Sequence, residues 1–88
     1  MAWRVEFSKG AQKDLAKLGG GRERILRFLA ERIENCDDPR RFGEALKGPV
    51  LGRYWKYRVG DYRLVCHLRD DVLLVLVVRI GDRKEVYR

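Results

Sequence analysis

The sequence of 88 residues is poor in the residue types on which most small enzymes depend. It contains one histidine, His67, so a pair of histidines cannot perform acid–base catalysis. Its two cysteines, Cys36 and Cys66, lack a CxxC spacing, and no group of His, Cys, Asp and Glu has the spacing of metal ligands. P-loop and GxSxG motifs are absent too. The sequence therefore predicts two reduced thiols, no bound metal and no cofactor.

Long apolar runs are also missing. The longest, from Val72 to Val78, has seven residues, whereas a helix that crosses a membrane needs about 20. The residues after Met1 pass quickly into charged positions, which is not typical of a signal peptide. We therefore expect a soluble cytoplasmic protein that does not act in a membrane.

What the chain does have is positive charge. It carries 20 Lys and Arg against 13 Asp and Glu, for a formal net charge of +7. A hydrophobic content of 45% is enough for a folded core, and the length fits one small domain over residues 1–88. A domain this basic is expected to bind a polyanion such as nucleic acid, an acidic protein partner, or both.

The N-terminal half predicts a strand followed by two helices. Residues 3–7 alternate apolar and polar side chains, as in a half-buried strand. Ser8 can cap a first helix over residues 9–18, which the glycines at 19–21 terminate. Apolar residues recur at helical spacing over 22–35, which predicts a second helix. Together these helices form a hairpin with one apolar stripe.

After a connector over residues 40–51, the pattern changes to three strands. They cover residues 53–59, 62–69 and 72–80, and the turns between them are too short for crossovers, so the strands form an antiparallel meander. The predicted order is β-α-α-β-β-β, in the α+β class. The helical hairpin covers one face of a small, mainly antiparallel four-stranded sheet, and the first strand lies beside the last.

The open face of this sheet carries the residues that suggest a chemistry. Arg63 alternates with Leu64 and therefore points away from the core. RNA supplies its own nucleophile, the 2′-hydroxyl, so a protein can cleave RNA by orienting that group, stabilising the transition state and moving two protons. Guanidinium groups bind phosphate oxygens through two hydrogen bonds. Cations near a tyrosine favour its phenolate form, which can accept a proton.

The order of elements, the segment Tyr62-Arg63-Leu64-Val65, Leu46-Lys47-Gly48 and the ending 81–87 resemble the RelE/ParE superfamily of bacterial toxins from type II toxin–antitoxin systems. RelE members enter the ribosomal A site and cleave messenger RNA there. The resemblance thus implies a RelE-like fold and a metal-independent endoribonuclease. The partners that it implies are the ribosome with its rRNA, messenger RNA and a cognate RelB-like antitoxin.

The resemblance also implies a role for individual residues. Arg63 would stabilise the transition-state phosphate, and Arg83 would bind the same phosphate and protonate the leaving oxygen. Tyr87 would act as the general base for the 2′-hydroxyl. Lys56 and Arg58 would contact the RNA and its phosphates.

Alternatives remain open at this point. In a straight strand Arg83 and Tyr87 would lie about 13 Å apart, so the ending must bend for them to meet at one phosphate. Many relatives have histidine where this chain has Asp82, which leaves a protein-binding module with weakened activity as one alternative. A ParE-like inhibitor of DNA gyrase, which binds without cleaving RNA, is another. Each cation could also be a solvated strand residue, and Tyr87 could simply anchor the terminus.

Overall fold

The computed structural model describes residues 3–49 and 52–82 of the chain. Its elements are β1 Arg4–Phe7, α1 Lys9–Ala16, α2 Gly21–Phe28, a π-helical turn Leu29–Ile33, a 3-10 turn Pro39–Phe42, β2 Glu44–Ala45, β3 Trp55–Val59, β4 Tyr62–Arg69 and β5 Leu74–Asp82. The predicted class and element order are confirmed. Among the described helices, none has the length and apolar character needed to cross a membrane.

The sheet has five strands in the order β1-β5-β4-β3-β2. β1 lies beside β5, the last strand, as predicted, and the two are parallel. The other neighbouring strands are antiparallel. The prediction of four strands was wrong by one, because Glu44–Ala45 in the connector pairs with β3. Two residues are too few to show a strand period in the sequence.

A β-bulge interrupts the pairing of β4 with β5. Val65 lies opposite Arg79 and Cys66 lies opposite Val77, so Val78 is the extra residue on β5. The bulge changes which residues of β5 face the helices: Val77 is fully buried and Ile80 is 3% exposed, although the two are three positions apart. A regular strand would have placed them on opposite faces.

The core lies between the helices and one face of the sheet. The side chains that form it are Ala11 and Leu15 from α1, Ile25, Leu29 and Ile33 from the second helical segment, and Tyr57, Val59, Leu64, Cys66, Val75, Val77 and Ile80 from the sheet. Trp3 closes one end of this core, and its Nε1 donates a hydrogen bond to the carbonyl of Asp37. The burial of Cys66 raises the pKa of its thiol, so this free cysteine is an inert core residue.

Candidate nucleic-acid interface

Four cations lie at neighbouring positions of the sheet face opposite the helices. Lys56, Val65 and Arg79 form one row across three strands. Arg58, Arg63 and Gly81 form the next row. Directly paired residues project to the same side of a sheet, with Cα atoms about 4.5–5.5 Å apart. We call the surface formed by Lys56, Arg58, Arg63 and Arg79 the cationic face.

Arg63 is held in place by the turn that joins β3 to β4. Its Nη1 donates hydrogen bonds to the carbonyls of Gly60, at 3.2 Å, and Tyr62, at 3.0 Å. A guanidinium has five N–H donors, so the same group can hold the turn and donate to a phosphate oxygen. The sequence prediction therefore placed Arg63 on the correct face, and the turn carbonyls orient it there.

Lys56 and Arg58 border a pocket at the β2 edge of the sheet. Its volume is about 250 Å³ and its lining residues are Arg41, Phe42, Gly43, Glu44, Lys56 and Arg58. Within it Lys56 Nζ lies 3.5 Å from Glu44 Oε2, in an exposed pair of the kind that contributes little to stability. This carboxylate is thus easily displaced by a phosphate that approaches Lys56.

Arg79 is the member of the cationic face that sequence reasoning missed. Simple alternation from the buried residues Val75 and Val77 would place residue 79 among the core side chains. The bulge at Val78 reverses this and pairs Arg79 with Val65, on the open side. The signal in the sequence was a charged residue at a position that simple alternation assigns to the core. The bulge at Val78 removes this conflict by turning Arg79 to the open face.

The structure does not describe the two other predicted catalytic residues. Arg83 and Tyr87 lie outside residues 3–49 and 52–82, so their roles stay predictions. What the structure does fix is the point of departure: Gly81 pairs with Arg63 and Asp82 pairs with Tyr62. The described part of β5 therefore ends beside the row that contains Arg63.

Asp82 lies on the other side of β5 from the cationic face. Because Gly81 is on the side of Arg63, its neighbour Asp82 projects toward α1. There it lines a pocket of about 330 Å³. Asp14 of α1 and Lys17, the C-cap residue of α1, line the same pocket. Arg79 lines the same pocket, so Asp82 lies at the outer edge of β5, next to the cationic face and not on it.

The described tyrosines have structural positions. Tyr57 is fully buried, its hydroxyl donates a 2.8 Å hydrogen bond to the carbonyl of Pro39, and burial raises its pKa. It therefore cannot serve as a base at neutral pH. Tyr54 contacts His67 edge-on, with ring centroids 6.0 Å apart. His67 is thus a packed strand residue of the open face.

A second group of cations continues the cationic face around the β3–β4 turn. They are Arg24 and Arg27 of α2 and Arg32 of the π-helical turn that continues it, and all three are exposed. We call them the α2 arginines. They line a pocket of about 340 Å³ together with Arg58 and the turn at Gly60. Arg58 borders both this pocket and the one at the β2 edge. The sequence predicted a solvated helix face here, with contact to ribosomal RNA as an alternative, and the contact with β3 could not be predicted because it depends on the packing of α2.

No three His, Cys, Asp or Glu side chains within residues 3–49 and 52–82 are grouped as metal ligands.

A known protein family matches the chain almost throughout: the ParE toxin of type II toxin–antitoxin systems, parDE, over residues 5–87. The chain belongs to this toxin family. The resemblance to the RelE/ParE superfamily is thereby confirmed, and with it the identity of the chain as a toxin of a toxin–antitoxin system.

Individual relatives agree with this. Toxin RelG of Mycobacterium tuberculosis is 31% identical over 90 residues, which cover 100% of this chain and 99% of that protein. The mRNA interferase toxin RelE of Escherichia coli is 34% identical, over 99% of this chain and 92% of that protein.

Solved structures show the same fold. The toxin–antitoxin complex RelBE2 from M. tuberculosis matches with a TM-score of 0.84 and 26% identity, over 94% of this chain and 100% of that chain. The intact E. coli RelBE complex matches with a TM-score of 0.70 and 27% identity, over 92% of this chain and 96% of that chain.

Proposed function

We propose that this toxin is a ribosome-dependent endoribonuclease that cleaves messenger RNA in the A site and so inhibits translation. The observation that carries the proposal is the placement of Lys56, Arg58 and Arg63 at neighbouring positions of the sheet face opposite the helices. Three cations in two neighbouring strands can neutralise a phosphate whose charge increases in the transition state. The 34% identity with an mRNA interferase over nearly the whole chain supports the same activity.

In the proposed reaction the RNA 2′-oxygen attacks the adjacent phosphorus. The bond from the 2′-oxygen to phosphorus forms while the bond from phosphorus to the 5′-oxygen of the next nucleotide breaks. Tyr87 accepts the proton of the 2′-hydroxyl, and Arg83 donates a proton to the leaving 5′-oxygen. The products are a 2′,3′-cyclic phosphate, or its opened form, and a 5′-hydroxyl end.

Arg63 acts on the phosphate in this scheme. Its fixed position above the β3–β4 turn means that little reorganisation is needed when negative charge develops on the non-bridging oxygens. Lys56 and Arg58 bind the flanking phosphates and hold the nucleotide in line for attack. The mechanism assigns no role to His67, which contacts Tyr54 instead.

We also propose a RelB-like antitoxin as the protein partner and the cytoplasm, where ribosomes and messages meet, as the site of action. The similar structures include RelB–RelE complexes from several organisms. A net charge of +7 favours an acidic partner that covers the cationic face and competes with RNA for it.

Inhibition of DNA gyrase is the second candidate, because the matching family carries the ParE name. Two measurements distinguish it from cleavage. Sequencing of RNA ends after a brief induction should show new 5′-hydroxyl ends within translated messages. A supercoiling assay with purified gyrase should show no inhibition at the toxin concentration that stops translation. Intact messages together with inhibited gyrase would refute the nuclease proposal.

A further inference from the structure

β5 is longer than the strand that pairs with its outer edge. β1 covers only Leu74 to Val77 of β5, and the last backbone hydrogen bond along this edge runs from the Ser8 N–H to the Val77 carbonyl, at 2.9 Å. β5 continues to Asp82. Over its last five residues, the outer edge therefore lies beside α1 rather than beside a strand.

Side chains from the N-cap and the last turn of α1 take over the hydrogen bonds of the missing strand. Ser8, the N-cap of α1, donates from its Oγ to the Val78 carbonyl at 3.1 Å. Asp14 accepts a hydrogen bond from the Ile80 N–H on its Oδ2, at 2.9 Å. A bond between a carboxylate and a backbone amide is short and strong for its type. The N-cap and one side chain of α1 thus hold the strand at its bulged residue and two residues beyond it.

The position of this bulge decides the composition of the cationic face. With the extra residue at Val78, Arg79 and Gly81 lie on the open side and Ile80 lies in the core. A shift of the register by one residue would turn each of them to the opposite face. The hydrogen bond from Ile80 to Asp14 is compatible with one register only, because it requires that the amide of residue 80 point outward toward α1.

We propose that Asp14 is a positioning residue for RNA cleavage. By accepting the Ile80 N–H, it locks the bulged end of β5 so that Gly81 stays opposite Arg63 and Arg79 stays on the cationic face. The inference rests on the proposed function, since it concerns the geometry of the cleavage site. Asp14 itself lies on the α1 side and does not touch the RNA.

The test compares Asp14→Ala, Asp14→Asn and the parent in cleavage of a defined message on purified ribosomes. Asp14→Ala should lower the maximal cleavage rate by about 10²-fold, because a displacement near 1 Å can cost that much. The affinity for ribosomes should not fall, since the net charge rises from +7 to +8. Asp14→Asn, which keeps an oxygen acceptor of the same size, should recover most of the rate.

The matched control is Asp71→Ala, which removes the same charge from the β4–β5 turn, at the far end of β5, where Asp71 contacts Arg69. It should leave the cleavage rate unchanged. A parental rate in Asp14→Ala, or a loss of affinity alone, would overturn the inference.

Hydrogen exchange of the Ile80 amide provides a second measurement that does not require the alanine variant to fold. In Asp14→Asn this amide should exchange only slightly faster than in the parent, and the cleavage rate should fall by a similarly small factor. Loss of most of the protection of this amide in Asp14→Asn with a parental cleavage rate would also overturn the inference. If the parent itself cleaves no message, the proposed function fails, whereas the exchange result still reports the lock on β5.

Discussion

Replacement of Arg63 is the most direct test of the proposed chemistry. Arg63 lies in the centre of the cationic face, between Arg58 on β3 and Gly81 on β5. Its hydrogen bonds to the Gly60 and Tyr62 carbonyls are close to solvent. The fold should therefore tolerate Arg63→Ala, and the loss should appear in catalysis.

The magnitude follows from what the guanidinium supplies. Loss of one preorganised donor to a developing oxyanion costs about 2.7–4 kcal/mol, or 10²–10³ in rate. Arg63→Lys keeps the charge but loses the planar fork, and with it one charge-assisted hydrogen bond worth about 1.5–3 kcal/mol. We thus expect a reduction of roughly 10- to 100-fold for lysine, smaller than that for alanine.

The assay is single-turnover cleavage of a defined message on purified ribosomes with toxin in excess, so that binding and chemistry are separated. Arg69→Ala is the matched control: it removes the same charge from the same strand, and its partner Asp71 forms an exposed ion pair at 3.0 Å. It should change the rate by no more than about twofold. An Arg63→Ala variant that cleaves within threefold of the parent, with an unchanged melting temperature, would refute the assignment.

Three further outcomes are expected. Tyr57→Phe leaves the buried Pro39 carbonyl without its 2.8 Å donor, which should destabilise the fold by about 1–3 kcal/mol and lower Tm by roughly 5–15 °C in a thermal melt. Alanine at all three α2 arginines should weaken binding of a 2′-O-methylated RNA and reduce the slope of log affinity against log salt by about 2, because each is expected to contact a phosphate. Alanine at Lys9 and Lys13 of α1 and at Lys17, its C-cap residue, should not change that slope. Two hydrogen bonds from Arg40 lower the pKa of Asp70, so their stabilisation is present above the ordinary carboxyl pKa of about 3.9 and is lost as the pH falls through the lowered value. The stability difference between the parent and Asp70→Asn, from denaturant midpoints, should therefore vanish in acid; a difference independent of pH would contradict this ion pair.

The fold was largely predictable because the local patterns are strong and consistent. The strand over residues 62–69 was predicted with the bounds that β4 has, since its alternation is regular and turns flank it on both sides. Helix ends were less certain: α1 ends at Ala16, two residues before the predicted end at Leu18. β2 escaped prediction because it exists only through its pairing with β3.

The candidate site was predictable only where alternation holds without interruption. On β3 and β4 the parity of Lys56, Arg58 and Arg63 follows from their neighbours, and the structure brings all three together. On β5 the bulge breaks that parity, so Arg79 could not be assigned from sequence. The bulged end of β5 is hydrogen-bonded by Ser8 and Asp14, residues about 65–70 positions away, and no local sequence pattern reports such contacts.

Asp82 and Gly81 bear differently on whether the site is open to RNA. Asp82 is the residue that departs from many relatives, yet it projects toward α1, where Lys17 lines the same pocket. Gly81 is the residue that stands opposite Arg63. Because residue 81 is a glycine, β5 places no side chain directly opposite Arg63. A larger residue at position 81 would project toward Arg63, whereas a change at Asp82 would act on the opposite side of β5.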